Sequence, residues 1–90
     1  MQPVNMPVEM ISTFSREGAI RPVRFRLEAE DQSLVTVRLN RIEEIQEILY
    51  IGAEAFLYVC RAELGGRERR FELRYTLRTH RWVLYRFLEG

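Results

Sequence analysis

Apolar and polar residues alternate through the last third of this chain. From Phe56 to Phe87 nearly every second residue is apolar, and the run breaks once at Gly65-Gly66 and once near Thr79-His80. A period of two is the signature of a strand, whose successive side chains point to opposite faces, and the breaks carry turn residues. The segment predicts three strands joined by two hairpins. Gly65-Gly66 suits a type I′ turn, in which both central residues take positive φ. That turn sets Cys60 against Phe71, Tyr58 against Leu73 and Phe56 against Tyr75, all on one face. A slip of one residue would set Cys60 against Arg70 and Tyr58 against Glu72, so burial selects the first register. Its other face places Glu63 opposite Glu68 and Arg61 opposite Arg70, with the oppositely charged diagonals to offset them. The second hairpin admits two registers. One puts Leu77 opposite Trp82 and Tyr75 opposite Leu84; the other pairs Leu77 with Val83, Tyr75 with Tyr85 and Leu73 with Phe87. In either, the last strand is apolar on both faces.

Upstream, Val23, Phe25, Leu27 and Ala29 alternate with Arg24, Arg26 and Glu28, predicting a first strand that ends in the turn Glu30-Asp31-Gln32-Ser33. Leu34 to Leu39 follows as a second strand with Val35, Val37 and Leu39 inward. Residues 40–52 fit two readings equally. Ile42, Ile45, Ile48 and Leu49 form a helical stripe that Asn40 would cap and Gly52 would stop; a long, bent continuation of the strand fits as well. Residues 1–17 hold Pro3, Pro7 and Gly18-flanked loop residues without a clear period, and read as a flexible N-terminal arm, with Phe14 and Ile20 as tethers to the core. Residues 18–90 then form one β domain. Four or five short strands cannot bury themselves as a flat sheet, so the expected fold is mostly β: a small antiparallel five-stranded barrel or rolled sheet of SH3-like or OB-like size, with one short helix around residues 41–51 as the open alternative.

Composition narrows the classes. Ninety residues make one domain, and the apolar fraction of 47% is that of a globular chain. Net charge is +1, but it is unevenly spread: +2 over residues 1–27, −5 over 28–54 and +4 over 61–90. Such asymmetry can complement itself within the fold or across a dimer. All fourteen basic residues are Arg. Coding bias or adaptation to heat accounts for this before any selection for guanidinium chemistry does. Cys60 is the single cysteine, which excludes an intramolecular disulfide and fits a reducing compartment. Met1 to Ile11 lacks the basic and apolar regions of a signal peptide, and nothing approaches the roughly 18 apolar residues of a membrane helix. The expected location is the cytoplasm, with no membrane partner.

Two segments carry a resemblance. Ile20-Arg21-Pro22-Val23-Arg24-Phe25-Arg26, together with Phe71-Glu72-Leu73-Arg74-Tyr75 followed by Trp82-Val83-Leu84-Tyr85, resembles a group of small uncharacterised bacterial proteins of unassigned function, over about residues 18–88. The resemblance implies no catalytic residues.

Candidate chemistry is sparse. Cys60 and His80 are the only Cys/His pair; Cys60 falls mid-strand on the apolar face and His80 in a turn, so they are not expected to meet. One Cys and one His do not make a metal site, Glu43, Glu44 and Glu47 read as a solvated acidic face, and no cofactor is expected. Glu72 alternates outward with Arg70 and Arg74, which reads as an ion pair. The expectation is therefore a non-enzymatic binding or interaction module. Its first form is self-association, as a homodimer or with another protein, through Val83, Tyr85 and Phe87 on the second face of the last strand. Its alternative is a nucleic-acid-binding barrel whose anion-binding face combines Arg24 and Arg26 with Arg70, Arg74 and Arg78, should the two strands adjoin, with Tyr85 or Phe87 as stacking platforms.

Overall fold

A computed structural model describes residues 4–49 and 54–88. Six strands run in it: β1 (Met6–Phe14), β2 (Ile20–Glu28), β3 (Leu34–Ile48), β4 (Ala55–Leu64), β5 (Arg67–Thr76) and β6 (Arg81–Leu88). Each pairs antiparallel with the next, and β6 returns to β1 to close a barrel. The small antiparallel barrel is as expected, but it has six strands rather than five, and the described residues contain no helix.

The sixth strand is β1, where an arm was expected. Met6, Val8 and Met10 pack against the core on alternate positions, so the period of two is present. Pro7 hides it, because proline lacks the N–H of a ladder residue and belongs at sheet edges. Here it falls in the short β1–β6 seam, whose register is Met6 to Leu84, Pro7 to Val83 and Val8 to Trp82. Residues 1–3 lie outside the described residues.

The ambiguous segment after Asn40 is strand to Ile48; Tyr50 to Gly52, with the expected helix stop, lie outside the described residues. Two irregularities in the β3–β4 ladder explain its helical look. The register runs Leu39 to Ala62, Ile42 to Cys60 and Ile45 to Tyr58. The β3 residues opposite the buried Ala62, Cys60 and Tyr58 therefore step by three, since one extra β3 residue is inserted at each β-bulge; Leu39 and Ile42 pack on the core, and Ile45 is 52% exposed. Two bulges in succession turn a strand period into one that imitates a helix.

The β4–β5 hairpin has the expected register, including Cys60 to Phe71 and Tyr58 to Leu73, with Gly65 and Gly66 at φ 64° and 81°. The β5–β6 hairpin has neither of the two expected registers. Its turn begins earlier, spanning Leu77 to His80, with the His80 N–H donating to the Thr76 carbonyl (2.9 Å) and His80 at φ 59°. Tyr75 therefore faces Trp82 and Leu73 faces Leu84; a bulge then carries the register to Glu72–Arg86 and Phe71–Phe87.

Inside the barrel, Phe25, Val37, Tyr58, Cys60, Phe71, Leu73 and Leu84 are fully buried, with Trp82 and Tyr75 closing one side. Phe25 meets Phe71 edge-on at 5.8 Å, and Trp82 sits between Tyr58 (5.3 Å) and Tyr75 (4.9 Å). The Tyr58 hydroxyl donates to the Ile20 carbonyl (2.6 Å), tying the start of β2 to the middle of β4.

β3 changes partner halfway along. Leu34 to Arg38 pairs with β2, whereas Leu39 to Ile48 pairs with β4. The barrel thus has two outer walls, one of β1, β2 and the first half of β3, the other of the second half of β3 with β4, β5 and β6. No helix among the described residues is long and apolar enough to cross a membrane.

Candidate functional site

The two Arg rows expected to form one face stand on different walls. In the closed order β2 and β5 are separated by two strands in either direction, so Arg24 and Arg26 lie across the barrel from Arg70 and Arg74. The combined face of five guanidinium groups does not form. Arg78 is on neither wall; it lies in the turn between β5 and β6.

On the β3–β6 wall three arginines, Arg61, Arg70 and Arg86, have carboxylate partners within the wall. Arg61 and Arg70 face each other across β4 and β5, and Glu43 bridges them, accepting from Arg61 Nε (2.6 Å) and Arg70 Nε (2.7 Å). Those two hydrogen bonds hold the Glu43 carboxyl down at about 2. Glu68 also accepts from Arg61 (3.1 Å). Arg86 donates through Nε to Glu72 (2.5 Å), which is itself 6% exposed, and that bond raises the Arg86 pKa. The Arg74 guanidinium lies over the Tyr85 ring at 4.2 Å, and its buried Nε has no acceptor. Glu72 does form an ion pair, but with Arg86 of β6 rather than with Arg70 or Arg74, and its side chain is buried.

The wall of β1, β2 and β3 is arranged differently. Register places Ile11, Arg24 and Arg38 in one row, Glu9, Arg26 and Thr36 in the next, and Thr13 beside Arg21. Arg21, Arg24, Arg26 and Arg38 are all exposed. Among the described residues, Arg26 is the one member of this set in an ion pair, with Glu9; its Nε lies 3.1 Å from Oε1 and its Nη2 contacts the same oxygen. Arg24 and Arg38 oppose each other with no carboxylate between them, unlike Arg61 and Arg70. Like charges placed directly opposite destabilise a sheet unless something bridges them. A cavity of about 340 Å³ opens here, lined by Glu9, Ile11, Arg24, Phe25, Arg26 and Thr36. Where β2 and β3 splay apart at Pro22, a second cleft of about 170 Å³ has Arg21 and Arg41 on its rim. Ile11, 51% exposed, stands in the row of Arg24 and Arg38, whereas Phe14, 69% exposed, pairs with Ile20 and takes the face opposite that of Arg21. Phe14 was expected to tether the core; it instead ends β1 facing solvent, opposite Ile20, and only Ile20 is buried.

Arg21, Arg38 and Arg41 escaped the sequence reading. Arg38 had a signal, since it is outward in the alternation Val35, Val37, Leu39. Placing it beside Arg24 needed the β2–β3 register, which the three-residue loop between Ala29 and Ser33 sets through the Ala29 N–H to Ser33 carbonyl bond (2.8 Å), with Gln32 at φ 68°.

Val83, Tyr85 and Phe87 do not make one patch. Tyr85 is the extra residue of the β6 bulge, so the parity of the strand reverses there. Phe87 turns inward against Phe71 (6.2 Å) with the Arg69 guanidinium over it (4.3 Å), and Tyr85 lies under Arg74. Only Val83 keeps the expected outward place. Cys60 and His80 have separate partners. The Cys60 thiol is buried beside the Tyr58 carbonyl (3.6 Å), and burial pushes its pKa up to about 12; His80 Nδ1 pairs with the Tyr75 hydroxyl (2.8 Å). Among the described residues, no three His, Cys, Asp or Glu side chains group as a metal site. Comparison with protein-family models, curated proteins and solved structures finds no match to this chain.

Proposed function

We propose that this protein is a non-enzymatic module that binds a single nucleic-acid strand across the outer wall of β1, β2 and β3. The carrying observation is the unbridged opposition of Arg24 and Arg38, with Arg21 on the same exposed wall, while the equivalent opposition of Arg61 and Arg70 is neutralised by Glu43. Guanidinium groups held at like-charge distance are unfavourable alone and favourable around a phosphate, whose oxygens accept from both. Small β-barrels bind single strands by pairing such a basic track with apolar or aromatic platforms for the bases. Exposed Ile11 is in position for that contact, and an unpaired strand offers the base faces that a duplex hides. Self-association through β6 has less to rest on, because Phe87 is folded inward and Tyr85 is covered by Arg74.

The test is fluorescence anisotropy with a labelled oligothymidylate of about 12 nucleotides, within the span that one small barrel occupies. Three unpaired cations, Arg21, Arg24 and Arg38, predict a slope of log affinity against log salt of about −2, from roughly −0.7 for each neutralised phosphate on a single strand. Arg24→Glu should abolish binding. Arg78→Glu changes the net charge equally but sits in the β5–β6 turn, and it should leave most of the affinity in place. Equal losses from both variants would reduce the effect to bulk charge and refute the site.

A further inference from the structure

The Glu9–Arg26 pair occupies the cavity on this wall in a telling way. Arg24, Arg26 and the Thr36 hydroxyl supply hydrogen-bond donors around the opening, and Glu9 supplies the anion. Phe25 is buried, so it closes the floor without offering a side-chain polar group. The Glu9 carboxylate places a single oxygen, Oε1, against two nitrogens of Arg26, the position a phosphate oxygen takes on a guanidinium. The side chains are 70% and 46% exposed, so solvent reaches both and the pair is open to exchange.

We infer that Glu9 occupies a phosphate seat on Arg26, as a built-in competitor that keeps a nucleic-acid phosphodiester from that guanidinium. This rests on the proposed reading of the wall and adds to it a specific phosphate position and a residue that sets the affinity. An exposed ion pair is a weak competitor, so Glu9 lowers affinity without abolishing it; its release corresponds to a gain of about two- to five-fold. Other acidic side chains on the wall do not sit in the seat. Glu28 lies at the far end of β2, opposite Leu34, and Asp31 is held by the Ser33 N–H (3.0 Å) and the Ser33 hydroxyl (2.6 Å) in the β2–β3 turn.

The experiment uses the same labelled oligothymidylate with four variants: Glu9→Gln, Glu28→Gln, Arg26→Gln, and Glu9→Gln with Arg26→Gln. Thermal unfolding of each variant checks that β1 and β2 remain paired. Glu9→Gln should tighten binding about two- to five-fold and steepen the salt slope by roughly 0.7, the increment of one further phosphate contact. Arg26→Gln alone should change little, since Glu9 already occupies that guanidinium. In the double variant the gain should vanish. Glu28→Gln removes the same charge outside the seat and should give a smaller gain with no change in slope. If Glu9→Gln binds no tighter than Glu28→Gln, or if the gain survives loss of Arg26, the seat is refuted while the binding wall stands. If neither the wild-type protein nor any variant binds at low salt, the proposed function fails and the seat fails with it.

Discussion

Removing one oxygen from Tyr58 tests how the barrel holds the binding wall in place. Tyr58 is 1% exposed, and its hydroxyl reaches from the middle of β4 to the Ile20 carbonyl at the head of β2, the residue before Arg21. Tyr58→Phe keeps the ring contacts with Trp82 and Phe56 and removes only the hydrogen bond. A typical internal hydrogen bond contributes about 1 kcal/mol net, and a buried acceptor left without its donor adds a further penalty. The Ile20 carbonyl loses a short bond in a buried setting, so we expect a loss of about 1–2 kcal/mol. For a domain of this size each kcal/mol lowers Tm by about 4–8 °C, which predicts a drop of roughly 5–15 °C.

The same group sets the alkaline limit. Burial raises the Tyr58 phenol from 10.0 to about 12 and the Cys60 thiol from 9.0 to about 12. In both cases the fold favours the protonated, neutral form, so the folded state holds its proton more tightly than the unfolded chain. The stability from Cys60 is complete below pH 9.0 and from Tyr58 below pH 10.0; each is lost as pH rises toward about 12. Urea unfolding followed by the fluorescence of Trp82, the single tryptophan, measures both effects. In Tyr58→Phe the loss beginning near pH 9 should persist and the further loss beginning near pH 10 should disappear. A variant as stable as the wild type, with the same alkaline limb, would refute the tether and the burial argument together.

Glu43→Gln should flatten the acid limb of stability. The hydrogen bonds from Arg61 and Arg70 depress its folded pKa from 4.5 to about 2, so the contribution is present above pH 4.5 and fades as pH falls toward 2, and acid titration by circular dichroism reads it. Phe87→Ala should cost about 1–2 kcal/mol, less than the 3–5 of a fully buried phenylalanine because Phe87 is half-buried. Its native mass by light scattering should equal that of the wild type; a fall in mass would restore the β6 interface that its inward packing argues against.

Much of the fold can be read from alternation because β4 and β5, and β2 from Val23 onward, contain unbroken strand periods. The Gly65-Gly66 turn leaves one register that buries Cys60, Tyr58 and Phe56 together. Three features defeat the same reasoning elsewhere, and each is a local departure from period two. Pro7 conceals β1, since proline argues against a strand everywhere except at an edge or seam. The bulges after Leu39 and Ile42 produce an apolar spacing of three, which a helix would also produce. The Tyr85 bulge reverses the parity of β6, moving Phe87 from the outer face to the core. The site was half legible for a related reason. Arg24 and Arg26 are outward in a regular stretch of strand, whereas the identity of their neighbours depends on the β1–β2 and β2–β3 registers, and Pro7 conceals β1.

Strand order then explains why Arg24 and Arg38 face each other with no carboxylate between them. The acidic stretch of the chain and the basic C-terminal stretch are each unbalanced alone, and they meet because the second half of β3 is zipped to β4 with β5 beyond it. Glu43 thereby reaches Arg61 and Arg70 and bridges them. The N-terminal strands are given a different part of β3. Leu34 to Arg38 contains no carboxylate and ends in another arginine, so the pairing that completes the wall adds a cation to it. The change of partner between Arg38 and Leu39 therefore separates the acids of β3 from the arginines of β2. Had β2 paired one strand-half further along, Glu43 or Glu44 would lie among those arginines, and the wall would resemble its opposite. A net charge of +1 conceals this difference in pairing, which arises from where β3 turns from one neighbour to the other. An anionic ligand meets that local arrangement within a Debye length of roughly 8–10 Å, and the charge of the far wall is largely screened from it.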